Sequence, residues 1–257
     1  MLAIELNVIG LINIQFAYKD DMLYVLEVNP RASRTTPFVS KSTNVPLAKI
    51  AAQLSVGQKL KNYNLPRWDS INHVSIKEAV LPFNKFPAES IFLSPEMKST
   101  GEVMGISENF GLSFYKATLS AGIKLPESGL VFISVNNEDK FKIISIARAF
   151  KELGFNIVAT EGTAKELIKN GMSAETVYKV GEGRPNIVDR IKNNEIDLVI
   201  NTPLGAQSRY DEEAIGKACI QKSIMAITTL SAADAVLYAI RTKNKIKVKS
   251  IQEYHSN

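Results

Sequence analysis

Hydrophobic and polar positions follow two different regimes along the chain. Through about residue 120 the patterns are short and mixed. Residues 11–18 and 23–29 alternate at period two around Lys19-Asp20-Asp21-Met22, which predicts an antiparallel hairpin whose second strand stops at Pro30. Residues 2–8 are amphipathic and stop at Gly10, yet no Ser, Thr, Asp or Asn precedes them to cap a helix. Pro46 suits a first helical position, and Leu47, Ile50, Ala51 and Leu54 recur at helical spacing before Gly57. Residues 59–69 are polar and read as a connector, while 74–83 and 99–106 read as extended. Ser107 is placed to cap a helix reaching about Gly122, with Phe110, Phe114 and Ala117 along one side.

From Leu130 onward the pattern becomes regular. Strand-like runs at 130–135, 155–160, 176–180, 197–201 and 224–228 are each followed by a helical stretch, at 139–153, 163–169, 186–193, 210–222 and 231–242. Five βα units of this kind predict an α/β fold, a doubly wound, Rossmann-like parallel sheet of five strands with helices on both faces. Residues 123–129 make the clearest boundary, so the chain divides into 1–60, a connector with strands and one helix at 61–128, and the sheet domain at 129–257. Lys243, Lys245, Lys247 and Lys249 alternate with Ile246 and Val248, the pattern of a charged edge strand.

Composition narrows the classes. With 257 residues and 45% apolar content the chain can fill more than one core, which excludes disordered and collagen-like readings. Its formal charge is +5, but residues 241–257 hold five basic groups and one acid, so most of the excess sits there. Without aromatic interleaving such a stretch points to neither nucleic acid nor membrane. The single Cys219 forms no internal disulfide, and no Cys/His spacing suits a structural zinc, which suggests a reducing compartment. The first ten residues lack the features of a signal peptide, and no run of apolar residues is long enough to span a bilayer, so a cytoplasmic protein is expected. Cys219 reads as core packing, and His73 and His255 show no partner pattern.

Two constellations carry candidate chemistry. Glu27 and Asn29 share a strand face, and an odd hairpin loop would set Gln15 directly opposite Glu27. Such oxygen ligands suit a hard cation, and Arg31 and Arg34 add guanidinium forks for phosphate or carboxylate oxygens. A solvated polar strand face is the plainer alternative. In the second half, Thr160-Glu161-Gly162-Thr163 follows a strand and opens a helix, where free amides, the helix dipole and two hydroxyls could cradle a phosphate. Lys140 at the start of the first of these helices, Lys179 at the end of the third strand and Asn201 at the end of the fourth could all approach that point, since such sheets bind ligands beyond the carboxyl ends of their strands. The alternative is that both threonines merely cap the helix.

The wording of these stretches is specific. Gln15-Phe16, Glu27-Val28-Asn29-Pro30-Arg31-Ala32-Ser33-Arg34-Thr35 and Pro37-Phe38-Val39-Ser40-Lys41 resemble the end of the second ATP-grasp domain of the carbamoyl-phosphate synthase large chain. The resemblance continues through Val80-Leu81-Pro82-Phe83 and Pro95-Glu96-Met97-Lys98-Ser99-Thr100-Gly101 into a methylglyoxal synthase-like regulatory domain. It implies an incomplete ATP-grasp α+β segment followed by that domain. It also implies that Gln15, Glu27 and Asn29 ligate divalent ions on the nucleotide phosphates and that Arg31 contacts the phosphates, with Arg34 as a second catalytic arginine. Lys140, Thr160, Gly162, Thr163, Lys179 and Asn201 would bind UMP or IMP, and Glu78 and Thr228 would touch ornithine. A further threonine of the family's nucleotide pocket falls at Pro203.

The resemblance implies ATP, Mg²⁺ or Mn²⁺, and optionally K⁺ as cofactors. The implied partners are the remainder of the large chain and a glutaminase small subunit. The family's phosphate loop and adenine pocket would lie upstream of Met1, so the fragment alone is expected to be inactive as a ligase. Two further readings stay open: a stand-alone nucleotide-sensing module, and a lyase resembling methylglyoxal synthase.

Overall fold

The computed structural model describes residues 2–67, 71–80, 101–204 and 209–256. They fall into two compact units, one formed by Met1–His73 with Lys247–Asn257 and the other by Val74–Ile246. Among the described residues no helix is long and apolar enough to cross a membrane.

The first unit contains α1 (Leu2–Glu5), β1 (Asn13–Lys19), β2 (Met22–Asn29), α2 (Thr35–Thr43) and α3 (Leu47–Ser55). Asp20 and Asp21 close the hairpin with φ of 50° and 57°, the left-handed pair that a tight two-residue turn requires. This loop is even, not odd, and pairs Lys19 with Met22. Continued without a break, it would set Gln15 opposite Leu26. A bulge beside Gln15 inserts Leu26 as the extra residue, so that Phe16 pairs with Val25 but Gln15 pairs with Glu27. The expected juxtaposition therefore forms for a different reason. Neither face of the hairpin is covered: Phe16, Tyr18, Leu23, Tyr24, Val25 and Leu26 are 48–70% exposed.

Helix α2 has no counterpart in the sequence reading, because Thr, Ser and Val are poor helix formers and Pro37 suggests a break. The proline sits in the first turn, where its missing N–H is harmless. Asn44 then ends α2 in the left-handed conformation, and Pro46 caps α3 from outside instead of starting it.

In the second unit, β3 (Val74–Val80) and β4 (Gly101–Ser107) form an antiparallel pair against α4 (Phe110–Ser120). The expected cap, Ser107, is the buried last residue of β4, and Asn109 takes the role, its side-chain oxygen accepting from the Leu112 amide at 3.0 Å. Gly105 lets α4 approach. A Cβ there would overlap the Ser113 carbonyl and lie 2.5 Å from the Ala117 nitrogen.

The alternating part follows as β5 (Gly129–Val135), α5 (Ile143–Glu152), β6 (Phe155–Thr160), α6 (Glu161–Lys169), β7 (Glu175–Val177), α7 (Ile187–Lys192), β8 (Leu198–Thr202), α8 (Arg209–Lys222), β9 (Met225–Ile227) and α9 (Leu230–Thr242). The five strands are parallel in the order β7-β6-β5-β8-β9. Strand alternation sorts the core: Val131 and Ile133 join one apolar cluster with α5 and α9, while Phe132 and Val199 join another with α7 and α8. This is the doubly wound α/β sheet that the pattern predicts. Cys219 lies in the second cluster, where burial pushes its thiol up to about 12.

The edge strand expected near the end of the chain does not form. Lys243 is buried with its ammonium 2.8 Å from a Glu127 carboxylate oxygen, and the residues after it take no strand partner. Residues from Lys247 onward belong to the first unit. Because backbone atoms meet a Cβ at Gly105, Gly105→Ala should lower stability by about 1–3 kcal/mol. A shifted midpoint in urea, followed by circular dichroism, would show it, and an unchanged midpoint would contradict the packing described.

Candidate functional site

The first candidate centre grows from the bulged hairpin. The bulge turns Gln15 toward the strand face of Glu27, and Asn29 lies two residues on along the same face. The Asn29 amide nitrogen donates to Glu27 Oε1 at 2.9 Å. Arg31 donates from Nη1 to the neighbouring Ala32 carbonyl at 3.0 Å, and Arg34 stands immediately before α2. Gln15, Glu27 and both arginines are exposed. Oxygen groups with a single carboxylate fit a hard cation such as Mg²⁺, which keeps waters and phosphate oxygens as further ligands. Among the described residues no three His, Cys, Asp or Glu side chains converge, so a softer all-protein site has no counterpart.

The second centre lies at the carboxyl edge of the parallel sheet. Thr160 ends β6 and directly precedes α6, whose first amides have no partner within the helix. Thr160 makes no capping bond. Its hydroxyl meets Ser134 Oγ at 3.2 Å and Thr163 Oγ1 at 3.5 Å, and Thr163 Oγ1 accepts from the Val135 amide at 3.2 Å. Both threonines are buried, so their hydroxyls tie β5, β6 and α6 together and do not simply cap a helix.

Lys140 belongs to the turn ahead of α5 and not to the helix itself. Its ammonium lies 3.3 Å from where a Cβ on Gly162 would stand, so the glycine leaves it room over the start of α6. Asn201 is next to last in β8, in register with Ser134.

Lys179 is less integrated. β7 ends at Val177, three residues earlier than the sequence suggests, and Lys179 is exposed beyond it. Its amide donates to Glu182 Oε2 at 3.0 Å. Burial raises the Asp211 carboxyl above its ordinary range, the charge of Lys179 opposes this and that of Glu182 adds to it, so the three groups are neighbours.

A cavity of about 900 Å³ opens past β5, β8 and β9, with Asp139, Thr202, Pro203, Thr228 and Asp234 in its wall. Thr228 is thus at a cavity. Glu78 is not among its lining residues, and lies half-buried on the β3 face that carries Ile76, where burial raises its carboxyl. Sequence reasoning also missed Asn136. Its amide nitrogen meets Asp139 Oδ2 at 2.9 Å and the Thr202 carbonyl at 3.2 Å, joining the ends of β5 and β8. Only its place after a strand run could have signalled it.

Comparison with known proteins places the chain in a family. Residues 1–63 match the family described as carbamoyl-phosphate synthase L chain, ATP binding domain, and residues 142–228 match the MGS-like domain family. The carbamoyl phosphate synthase large chain of Archaeoglobus fulgidus is 54% identical over 257 residues, covering 99% of this chain and 24% of that protein. The C-terminal section of the large chain of Aquifex aeolicus is 48% identical over 280 residues, covering 99% of this chain and 52% of that protein. The chain belongs to the carbamoyl phosphate synthase large-chain family, matching its C-terminal part. It spans about a quarter of the full-length large chains it matches. A solved methylglyoxal synthase from Elizabethkingia anophelis aligns with a TM-score of 0.38 at 16% identity, over 49% of this chain and 96% of that one, a likeness too weak to argue from.

For the MGS-like domain, the Lys140–Gly162 approach yields a selective test. Gly162→Ala should leave the urea midpoint unchanged or raised, since alanine favours helix, while crowding the ammonium. A clear loss of stability would show that Gly162 serves the fold instead. Glu78 gives a pH prediction. Its raised pKa means that the protonated form is favoured on folding, so its contribution is fully present below the ordinary Glu range and lost as pH rises through the raised value. Glu78→Gln should therefore stabilise the protein at pH 7 and confer no gain under acid conditions. Urea titrations of both proteins at the two pH values would check this.

Proposed function

We propose that the chain supplies metal and ATP-phosphate ligands to the carbamate-phosphorylating site of a carbamoyl phosphate synthase and carries its effector-binding domain. The reading rests above all on Lys140 lying beside Gly162 at the open end of α6, in a turn that also carries the hydroxyls of Thr160 and Thr163. A helix N-terminus with an ammonium beside it favours a phosphate oxygen through amide donors and through charge. UMP or IMP is the proposed occupant, with Lys179 and Asn201 completing the edge. Thr228 and Glu78 are proposed for ornithine.

At the other centre, Gln15, Glu27 and Asn29 would hold Mg²⁺ or Mn²⁺, and Arg31 and Arg34 would neutralise phosphate oxygens. The metal would supply charge neutralisation at the transferring phosphoryl group. K⁺ is a further proposed ion. The uncovered hairpin supports a role as one part of a larger ATP-grasp domain, since a lone two-stranded sheet is marginal in water. The proposed partners are the rest of the large chain and a glutaminase small subunit, in the cytoplasm.

A methylglyoxal synthase-like lyase finds less support. Such a lyase needs carboxylates set against its substrate, and the acids on either side of Arg184-Pro185 have structural work: Glu182 receives the Lys179 amide, and Asp189 forms a reciprocal cap with Asn186 at α7. Calorimetric titration with UMP and IMP tests the effector reading. Saturable binding is expected with at least one, weakened about tenfold or more by Lys140→Ala. Absence of binding to both, or equal affinity in the variant, would refute it. In assays of the chain alone, neither carbamoyl phosphate nor methylglyoxal should form.

A further inference from the structure

The chain has two histidines, and the fold brings them together at one end of α2. His73 Nε2 lies 2.8 Å from the Ser42 carbonyl oxygen, and His255 Nε2 lies 2.7 Å from that of Lys41. Their rings meet edge to face with centroids 5.1 Å apart, and Tyr254 approaches His73 edge-on at 5.9 Å. The Lys249 ammonium stands 5.5 Å from the centre of the Tyr254 ring.

These contacts answer a specific need. The last carbonyls of a helix have no intrahelical partner, and α2 breaks off at Asn44 with a left-handed φ of 56°. A carbonyl oxygen only accepts, so each Nε2 must carry a hydrogen. Both imidazoles therefore act as donors that close the end of α2, an arrangement that also suits the negative end of the helix dipole. His73 is the last residue of its segment and His255 comes from the other end of the chain, so the clamp joins sequence-distant pieces of one unit.

We propose that His255, with His73, is a positioning residue that clamps the C-terminal end of α2 and so fixes the helix that Arg34 immediately precedes. Residues 247–256 then serve the ATP-grasp segment as a strap. Its relevance to catalysis rests on the phosphate role proposed above for Arg34.

Hydrogen exchange of the purified chain tests the clamp, comparing the native protein with His255→Ala, His255→Gln and a version lacking residues 247–257. Exchange in α2 should rise about threefold to tenfold in the alanine variant and in the shortened chain, while β5, β6 and β8 exchange as before. Glutamine, which carries a donor nitrogen at a similar reach, should restore most of the protection. In long-range nitrogen–proton spectra both neutral imidazoles should be the Nε2–H tautomer. Unchanged α2 exchange, a glutamine variant no better than alanine, or an Nδ1–H tautomer on either ring would overturn the clamp. These readouts involve no nucleotide. Failure of Arg34→Ala to weaken Mg-ATP binding in the assembled enzyme would instead overturn the phosphate role and leave the clamp standing.

Discussion

One hydrogen bond, from the Val135 amide to the Thr163 hydroxyl, organises the parallel-sheet half of the molecule. β6 pairs with β5 only as far as Ile133 and Ala159, whereas β8 continues beside β5 to Val135 and Thr202. Past Ile133, one side of β5 has lost its strand partner. A buried amide left there without an acceptor would cost about 1–3 kcal/mol. Thr163 removes that penalty and holds the first turn of α6 against β5. Asn136 does the corresponding work toward β8, its own amide meeting the Thr202 carbonyl at 3.3 Å. The open amides of α6 are thus fixed at the carboxyl edge of the sheet, the edge at which open α/β sheets bind ligands. The proposed anion cradle follows from satisfying the backbone past Ile133, where β5 and β6 part.

The parallel sheet was legible because each strand is a short apolar run followed by a helical period, and burial on both faces demands that composition. The members of the cradle were legible one by one, as a Thr-x-Gly-Thr turn and lysines near strand ends. Ser134 and Asn136 were not, since only strand register brings Ser134 to Thr160 and Asn136 to Thr202. Glu78 and Thr228 illustrate the reverse case. The resemblance groups them, whereas the structure puts Thr228 at a cavity and Glu78 on a strand face outside its lining.

Errors in the first half also have physical causes. Gln15 faces Glu27 because of a bulge at Leu26, which period-two counting cannot detect when the turn length is misjudged. Helix α2 is composed of residues that disfavour helix, and side chains from elsewhere in the unit complete its last turn. The lysine alternation near the end suggested a strand. In the fold, Lys243 leaves that pattern for an ion pair with Glu127, and the following residues return to α2.

The anion cradle proposed at the start of α6 depends on the division of the sheet at β5. A crystal structure of the chain with UMP or IMP bound tests it most directly. The nucleotide phosphate should lie within hydrogen-bonding distance of the Gly162 and Thr163 amides, with the Lys140 ammonium against it. A phosphate seated in the cavity beside Thr228, with the start of α6 left to solvent, would contradict it.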